Sequence, residues 1–142
     1  MRLEGELCVI AVGRTGNQSL AMLETIYEYC RAKACVTEGF PFDQDTLVIK
    51  VCGKIFAIVS LEKTPLWISL KCDPTWAIEL REAYESVQPG YHLNKQHWNS
   101  VVLDSSIPLD VVRKMIDMSY DLVVAGFNKA QKEELREALN RI

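Results

Sequence analysis

Hydrophobic and polar positions follow two different periods along the chain. Apolar side chains recur every three or four positions over residues 19–33, which predicts an amphipathic helix. Three segments rich in β-branched and apolar residues come next, and they predict strands over Thr46–Val51, Lys54–Leu61 and Leu66–Lys71. A helical period thus gives way to a period of two, which is typical of a sheet.

The third predicted strand, Leu66–Lys71, shows the cleanest alternation. Its aliphatic residues occupy the even positions, and the odd positions hold Trp67, Ser69 and Lys71. Such alternation is typical of an antiparallel sheet with one face in water. The same period of two places Lys50 and Lys54 on the polar sides of the first and second strands.

Two capping signals mark helices in the C-terminal half. Asp73 followed by Pro74 predicts a helix that runs to about Tyr84, because aspartate caps a helix and proline suits its first turn. Asn128 in the same way predicts a last helix over Lys129–Arg141. The charges of this last helix are mixed, which is typical of a solvated face.

A fourth strand and a long helix lie between these two capped helices. The strand is predicted over Asn99–Leu103, and the helix begins at Pro108 after a cap at Ser105 or Ser106. The predicted order is therefore α-β-β-β-α-β-α-α. Strands joined mainly by hairpins, with helices outside them, predict an α+β two-layer sandwich with the helices packed on one face of an antiparallel sheet.

Composition places the chain among ordinary globular proteins. It has 142 residues, of which 49% are hydrophobic and 25% are charged, with a net charge of −3. This length suits one domain.

The five cysteines form no CxxC pair, so free thiols in a reducing cytoplasm are the simplest interpretation. The apolar run near the start is too short to cross a bilayer, and we expect no membrane partner.

The charge is unevenly distributed along the chain. Residues 46–72 carry four lysines and one acid, and residues 86–103 add Lys95 and two histidines without an acid. These two segments together carry +4 in a chain whose total is −3. A local basic surface is therefore compatible with an acidic protein, although bulk charge argues against a protein that coats nucleic acid.

The segment from Lys71 to Trp98 contains residue types found in two kinds of reactive site. His92 and His97, with Cys72 and Asp73 upstream, fit no familiar zinc spacing, and Asp73 is better used as a cap. A Cys–His nucleophile would need a third orienting group, which the segment does not supply. We therefore expect no enzyme, no cofactor and no obligate metal.

The basic segments also have a structural interpretation. Lysines on the exposed face of a sheet are common, and lysines at an edge strand block aggregation. Tyr91, His92 and Trp98 would then pack a long loop onto the sheet, with their polar atoms bonded to backbone. Composition alone favours this interpretation over nucleic-acid binding, because a basic domain is the usual footprint of a nucleic-acid binder.

Several segments of the chain resemble the MmcQ/YjbR family. They are Phe40-Pro41-Phe42, Asp45–Ala57, Ser69–Pro74, Pro89–Asn99 and Ser119–Val123. The Lys-Cys-Asp-Pro run and the Gly-Tyr-His-x-Asn-Lys-x-x-His-Trp run are the most specific of them.

The resemblance implies a small bacterial cytoplasmic protein with a fold similar to the CyaY/frataxin sandwich. Members of this family are described as predicted DNA-binding proteins with a "double-wing" arrangement of strands, and no enzymatic activity comes with the family. The resemblance begins near Met22, so we expect residues 1–21 to be an extension and residues 22–142 to form a single domain. Iron binding does not follow from the fold, because function depends on sites.

These observations lead to a DNA-binding hypothesis without an enzymatic step. The contacts would be weak and largely independent of base sequence. The predicted phosphate contacts are Lys50, Lys54, Lys71, His92, Lys95 and His97, and the predicted stacking or groove contacts are Trp67 and Tyr91.

The alternative hypothesis comes from a different class of protein. It is a protein- or small-ligand-binding module whose pocket is lined by Phe40, Phe42, Tyr91, His92 and Trp98. Whether the lysines and histidines share a solvent-exposed face or converge on a concave pocket distinguishes the two hypotheses.

Overall fold

A computed structural model describes residues 16–63, 65–91, 93–104 and 106–141, and for residues 16–20 it describes the backbone only. Within these ranges the chain forms four helices and six strands. In chain order they are α1 (Gly16–Arg31), β1 (Val36–Gly39), β2 (Thr46–Val51), β3 (Lys54–Ser60), β4 (Trp67–Lys71), α2 (Pro74–Ala83), β5 (Val87–Pro89), β6 (Trp98–Val102), α3 (Leu109–Ala125) and α4 (Lys129–Asn140).

The six strands form one antiparallel sheet in the order β1-β2-β3-β4-β6-β5. Helices α1, α2 and α3 cover one face of it, and their apolar side chains join those of the strands in a single core. The largest fully buried members include Phe56, Leu23, Ile68, Leu70 and Ile116. The predicted α+β sandwich is confirmed.

The two edge strands, β1 and β5, were not predicted. β1 has four residues and β5 has three, and both are mostly exposed or half-buried. A strand this short carries too few residues for a period of two to be visible, and its extended backbone depends on pairing with a neighbour. The hydrophobic pattern accordingly indicates no strand at either place.

The capping predictions are largely confirmed. The side chain of Asp73 accepts hydrogen bonds from the backbone N–H groups of Thr75 and Trp76 at the start of α2. Asn128 and Gln131 form a reciprocal capping box at the start of α4. The cap of α3 differs, because Pro108 occupies the capping position and makes no side-chain bond there. The alternative cap Ser105 lies outside the described residues.

The predicted extension, residues 1–21, lies mostly outside the described residues. From Gly16 onward its backbone is helical and continuous with α1, so that helix begins three residues earlier than Ser19. Among the described residues, no helix combines the length and the apolar character that a membrane crossing requires.

A β-bulge in β3 changes which residues face the helices. Ile49 of β2 pairs with Ala57, but its neighbour Lys50 pairs with Ile55, so Phe56 is the extra residue. Phe56 and Ala57 are both fully buried in the core. A bulge of this kind interrupts the ladder and leaves backbone groups that need other partners.

Ser119 of α3 supplies those partners. Its hydroxyl donates a hydrogen bond to the carbonyl of Phe56 and accepts one from the N–H of Lys71, at 2.5 and 2.9 Å. The Ser119 side chain is fully buried. One hydroxyl therefore bridges β3 and β4 where the bulge has opened the ladder, and it fixes α3 against the sheet.

A polar and aromatic cluster joins α1 to α3. The hydroxyl of Tyr29 donates to both carboxylate oxygens of Asp117, at 2.7 and 2.8 Å, and the ammonium of Lys33 lies 2.6 Å from the same carboxylate. Burial opposes the charged carboxylate, but the bonds from Lys33 and Tyr29 hold the pKa of Asp117 below its ordinary value. The hydrogen bond to Asp117, with burial, raises the pKa of Tyr29 to about 12.

Replacing Ser119 by alanine should lower the free energy of unfolding by about 2–4 kcal/mol, because a buried N–H and a buried carbonyl lose their partner. Urea denaturation of the variant against wild type measures this loss. The matched control is Ser106→Ala, since Ser106 is exposed, and it should change stability by less than about 0.5 kcal/mol. A Ser119→Ala variant as stable as the control would contradict the bridging role.

Replacing Asp117 by asparagine should weaken the protein by less than about 1 kcal/mol at neutral pH, because the pair is partly exposed and screened. The pKa of Asp117 is lowered in the folded state, so its contribution is present above the unfolded pKa and is lost as pH falls through the folded pKa. Unfolding curves at several pH values should therefore show wild type and Asp117→Asn converging below about pH 4. A difference that persists at pH 2 would contradict this assignment.

Candidate nucleic-acid interface

The sheet face opposite the helices carries lysines and no acid, and we call it the lysine face. Strand register defines its positions from β1 to β5. They are Thr37, Gly39, Thr46, Val48, Lys50, Ile55, Ile58, Ser60, Trp67, Ser69, Lys71, Trp98, Ser100, Val102 and Gln88. Among these strand positions, Lys50 and Lys71 are the charged residues, and none is a carboxylate.

Lys50 and Lys71 lie at the same end of the lysine face. β2 and β4 run in the same direction, since each is antiparallel to β3, and both lysines stand at or next to the last residue of their strand. Two strand spacings separate them, which corresponds to about 10 Å. Trp98 pairs with Lys71 at this end, so the segment just before Trp98 is also close to it.

Lys54 does not share this face. It pairs with Val51, which is fully buried in the core, across the tight turn at Cys52 and Gly53. Its side chain therefore stands on the helix side of the sheet end, where it is exposed. The bulge at Phe56 is the cause, because it shifts the alternation by one residue and separates Lys54 from Ser60. The prediction that Lys54 lies on the polar side of the second strand, on a face shared with Ser60, is wrong for this reason.

An aromatic pair with a lysine occupies the other end of β4. The rings of Trp67 and Tyr91 meet edge to face, with centroids 5.7 Å apart. The ammonium of Lys63 lies 5.2 Å from the Trp67 centroid and 4.8 Å from that of Tyr91, within cation–π range. Tyr91 is 45% exposed, so this cluster lies at the surface of the protein.

Lys63 was not predicted as a site residue. It was counted in the basic segment, but its place in the turn before β4 hides its relation to Tyr91, which lies 28 residues further on. The sequence feature that could have indicated this contact is the spacing of four residues between Lys63 and Trp67. That spacing across a short turn lets a long side chain fold back over the first ring of the following strand.

The loop between β5 and β6 is held by its own side chains. The Asn94 side chain accepts from the N–H groups of Gln96 and His97, and the Lys95 ammonium donates to the Gly90 carbonyl at 2.9 Å. A Cβ on Gly90 would lie 2.8 Å from the Cβ of Trp98, so the loop needs glycine here. Much of the Gly-Tyr-His-x-Asn-Lys pattern therefore builds the loop.

Arg81 of α2 braces this loop from the helix side. Its guanidinium donates to the Asn99 side chain at 2.7 Å and to the backbone carbonyls of Lys95 and Trp98. Asn99 in turn donates to the Ala77 carbonyl within α2. These bonds fix the backbone that presents Lys95 and His97 to solvent.

The predicted DNA-contacting residues of this loop differ in their exposure and in the contacts they already make. His97 is exposed, and its backbone carbonyl accepts from the N–H of Cys72 at 2.7 Å, at the end where Lys71 lies. Lys95 is exposed but spends one of its three N–H donors on Gly90. Tyr91 has its backbone N–H bonded to Ser100 on the lysine face. His92 lies outside the described residues.

The residues of the rejected metal and nucleophile sites have structural roles. Cys72 is buried, and burial, with the charge of Asp73, raises the pKa of its thiol to about 11. Asp73 caps α2. Among the described residues, one group of metal-ligating side chains does converge elsewhere, since single ligand atoms of Cys35, Cys52 and Glu134 all lie within 4.8 Å of one another.

The residues of the alternative pocket are spread across the sheet. Phe40 lines a groove of about 300 Å³ beside β1 and β2, together with Pro41, Val48 and Lys50. Phe42 is 69% exposed, and Tyr91 packs against Trp67. β1 and β5 form the two edges of the sheet, so the segments that follow them begin at opposite sides.

Comparison with known proteins finds relatives that match about 70% of this chain. The chain is 37% identical to protein YbdF of Escherichia coli O157:H7 over 68% of its own length and 80% of the relative. It is 34% identical to YjbR of Escherichia coli K12 over 72% of its length and 86% of the relative.

Solved structures share the fold. The crystal structure of Deinococcus radiodurans protein DR2400 matches with a TM-score of 0.75 and 39% identity, over 80% of this chain and 86% of that one. A protein from Pseudomonas syringae matches with a TM-score of 0.61 and 23% identity, over 70% and 96%, and shows the fold alone. The profile of the YjbR family matches residues 31–122. The chain therefore belongs to the YjbR family.

Proposed function

We propose that this protein binds DNA through the lysine face, without catalysing a reaction. The observation that carries the proposal is the position of Lys50 and Lys71 at the same end of a sheet face whose described strand positions hold no carboxylate. Phosphates are polyanionic, so a face with lysines and no acid attracts them even when the net charge of the protein is −3.

The position of the acidic residues supports the proposal that DNA binds on the lysine face. Most described acidic residues lie on the helices, on the other side of the sheet or at its periphery. On the helices they are Glu24, Glu28, Glu79, Glu82, Asp110, Asp117, Asp121, Glu133, Glu134 and Glu137. On β1, Glu38 pairs with Ile49 on the core side and accepts a bond from the hydroxyl of Tyr27. The lysine face is therefore the part of the sheet where a polyanion would meet lysines without a carboxylate at a neighbouring strand position.

The exposed loop extends the basic end. His97 and Lys95 are exposed beside the end of β4 that carries Lys71, and Arg81 keeps their backbone in place. These side chains can contact phosphates but do not recognise bases. The affinity for DNA should therefore be modest and independent of the base sequence. Lys54, on the helix side of the same sheet end, would reach only a strand that wraps around that end.

The cluster of Lys63, Trp67 and Tyr91 suits an unpaired base. Aromatic rings in single-strand binders stack on bases whatever the base is, and a neighbouring cation contacts the adjacent phosphate. The exposed part of the Tyr91 ring offers such a surface, while Trp67 supports it from the sheet. We therefore expect single-stranded DNA to bind at least as well as duplex.

A salt titration tests the phosphate contacts. Wild-type protein is titrated against a fluorescent 20-nucleotide strand and its duplex between low and physiological salt, and log K should fall linearly with log salt. Lys50→Ala and Lys71→Ala should each reduce the magnitude of the slope by about 1. The matched control is Lys114→Ala on α3, which is exposed on the helix side and should leave the slope unchanged.

Two results would refute the phosphate-binding proposal. One is the absence of binding to both single strand and duplex at the lowest salt. The other is an equal loss of slope in Lys114→Ala, since this would mean that DNA contacts the protein by bulk charge and without preference for the lysine face.

Replacing Tyr91 by alanine should weaken single-strand binding by about 5- to 100-fold, as the loss of one stacked base predicts, and weaken duplex binding much less. The measurement is the same titration at fixed salt. Phe42→Ala is the control, because Phe42 is an exposed aromatic residue on the segment after β1. An equal effect of the two substitutions would favour the alternative binding module over base stacking at Tyr91.

A further inference from the structure

Cys35 and Cys52 meet at the end of the β1–β2 hairpin. Val36 pairs with Val51, so the two cysteines form the next cross-strand position beyond the ladder. The N–H of Cys52 donates to the Cys35 carbonyl at 2.9 Å, and the two sulfur atoms lie 2.7 Å apart. Opposed residues in antiparallel strands have Cα atoms about 4.5–5.5 Å apart, which falls within the range a disulfide spans.

The backbone at both cysteines is unusual. Cys35 has φ of 62° and Cys52 has φ of 47°, and these are the described non-glycine residues with positive φ. Left-handed backbone is uncommon for a residue with a Cβ. Cys52 and Gly53, whose φ is 81°, form the two-residue turn between β2 and β3, and a turn of this kind requires positive φ at both positions. Cys35 lies in the segment between α1 and β1, so both thiols are carried by turns at the same end of the sheet.

The surroundings give the two thiols different properties. Cys35 is half-buried, and its thiol donates to the carboxylate of Glu134 on α4 at 3.5 Å. Cys52 is buried, and burial, with the bond to Cys35 and the nearby charge of Glu134, raises the pKa of its thiol to about 12. Cys35 is thus the accessible thiol with a proton acceptor, and Cys52 is the enclosed partner.

We propose that Cys35 and Cys52 are a redox-active dithiol that hydrogen peroxide oxidises to an intramolecular disulfide. Cys35 is the attacking residue, Glu134 accepts its proton, and Cys52 is the resolving residue. The site is independent of the lysine face.

The reaction proceeds in two balanced steps. The Cys35 sulfur, its proton taken up by Glu134, attacks one peroxide oxygen, the O–O bond breaks, and the departing oxygen recovers the proton to leave as water. Cys35 is now a sulfenic acid. The Cys52 sulfur then attacks the Cys35 sulfur, the S–O bond breaks, and the hydroxyl leaves with the Cys52 proton as a second water. Across both steps, two electrons pass from the Cys35–Cys52 pair to one molecule of hydrogen peroxide, and a thiol reductant converts the disulfide back to two thiols.

A metal fits this group less well than a disulfide. Two thiolates on one tetrahedral zinc ion lie about 3.8 Å apart, given Zn–S bonds of about 2.3 Å. The two sulfur atoms lie closer together than this arrangement allows. The described side chains also supply three ligand atoms, whereas closed structural zinc sites have four.

Oxidation would release Glu134 from its thiol donor. None of the described residues of α4 is buried, and Leu135 is its half-buried contact with the core. The bond from Cys35 to Glu134 is one further contact of this helix. A disulfide would remove that contact while linking the start of β1 to the end of β2.

Thiol titration and peptide mapping test the proposal on the full-length chain. Treatment with one equivalent of hydrogen peroxide should reduce the free thiols from five to three, and mapping should find one Cys35–Cys52 disulfide that dithiothreitol reduces. Cys52→Ser should trap a sulfenic acid on Cys35 that dimedone labels, and Cys35→Ser should show no label on Cys52. Cys72→Ala should still form the disulfide.

Glu134→Gln keeps the test decisive if the cysteine variants fold poorly, because Glu134 is exposed. It should slow oxidation about tenfold or more through loss of the proton acceptor. Glu133→Gln, the adjacent exposed acid, should leave the rate unchanged. Five thiols that survive peroxide in folded protein, a disulfide between other cysteines, or stoichiometric Zn²⁺ held by the reduced pair would each overturn the proposal.

Discussion

The hydroxyl of Ser119 makes the hydrogen bonds on which the arrangement of this sheet depends. It donates to Phe56 and accepts from Lys71, so it occupies the gap that the bulge in β3 opens between two central strands. Without a partner there, a buried carbonyl and a buried N–H would remain unpaired, and the bulge would be costly. The bond therefore makes it possible for Phe56 and Ala57 both to face the helices.

The bulge also determines which lysines can act together. The bulge at Phe56 shifts by one residue the alternation of side chains between the two faces of β3. Lys50 and Lys71 therefore share a face, while Lys54 stands on the other side of the sheet. Ten described carboxylates lie on the helices, and the strand positions opposite the helices hold none. The lysine face is thereby free of acids although the protein has a net negative charge. This absence of acids, more than the number of lysines, makes the sheet face a candidate for polyanion binding.

Sequence patterns predicted the parts of the fold that depend on local chemistry. The strand Thr46–Val51 and the caps at Asp73 and Asn128 were predicted correctly, because periodicity and capping act over a few residues. The edge strands were not predicted because their extended backbone depends on pairing with a neighbouring strand, which a pattern over three or four residues does not indicate. The placement of Lys54 was missed because a bulge leaves no mark on a hydrophobic pattern. The meeting of Cys35 with Cys52, and that of Lys63 with Tyr91, depends on tertiary structure across 17 and 28 residues.

The guanidinium of Arg81 connects the two layers of the protein. It belongs to the last turn of α2, yet its bonds end on carbonyls of the loop that borders the lysine face. A ligand that pulls on this loop would therefore stretch bonds anchored on the helix side. Movement of the loop would also reach α2 through Asn99, whose amide accepts from Arg81 and donates to the Ala77 carbonyl.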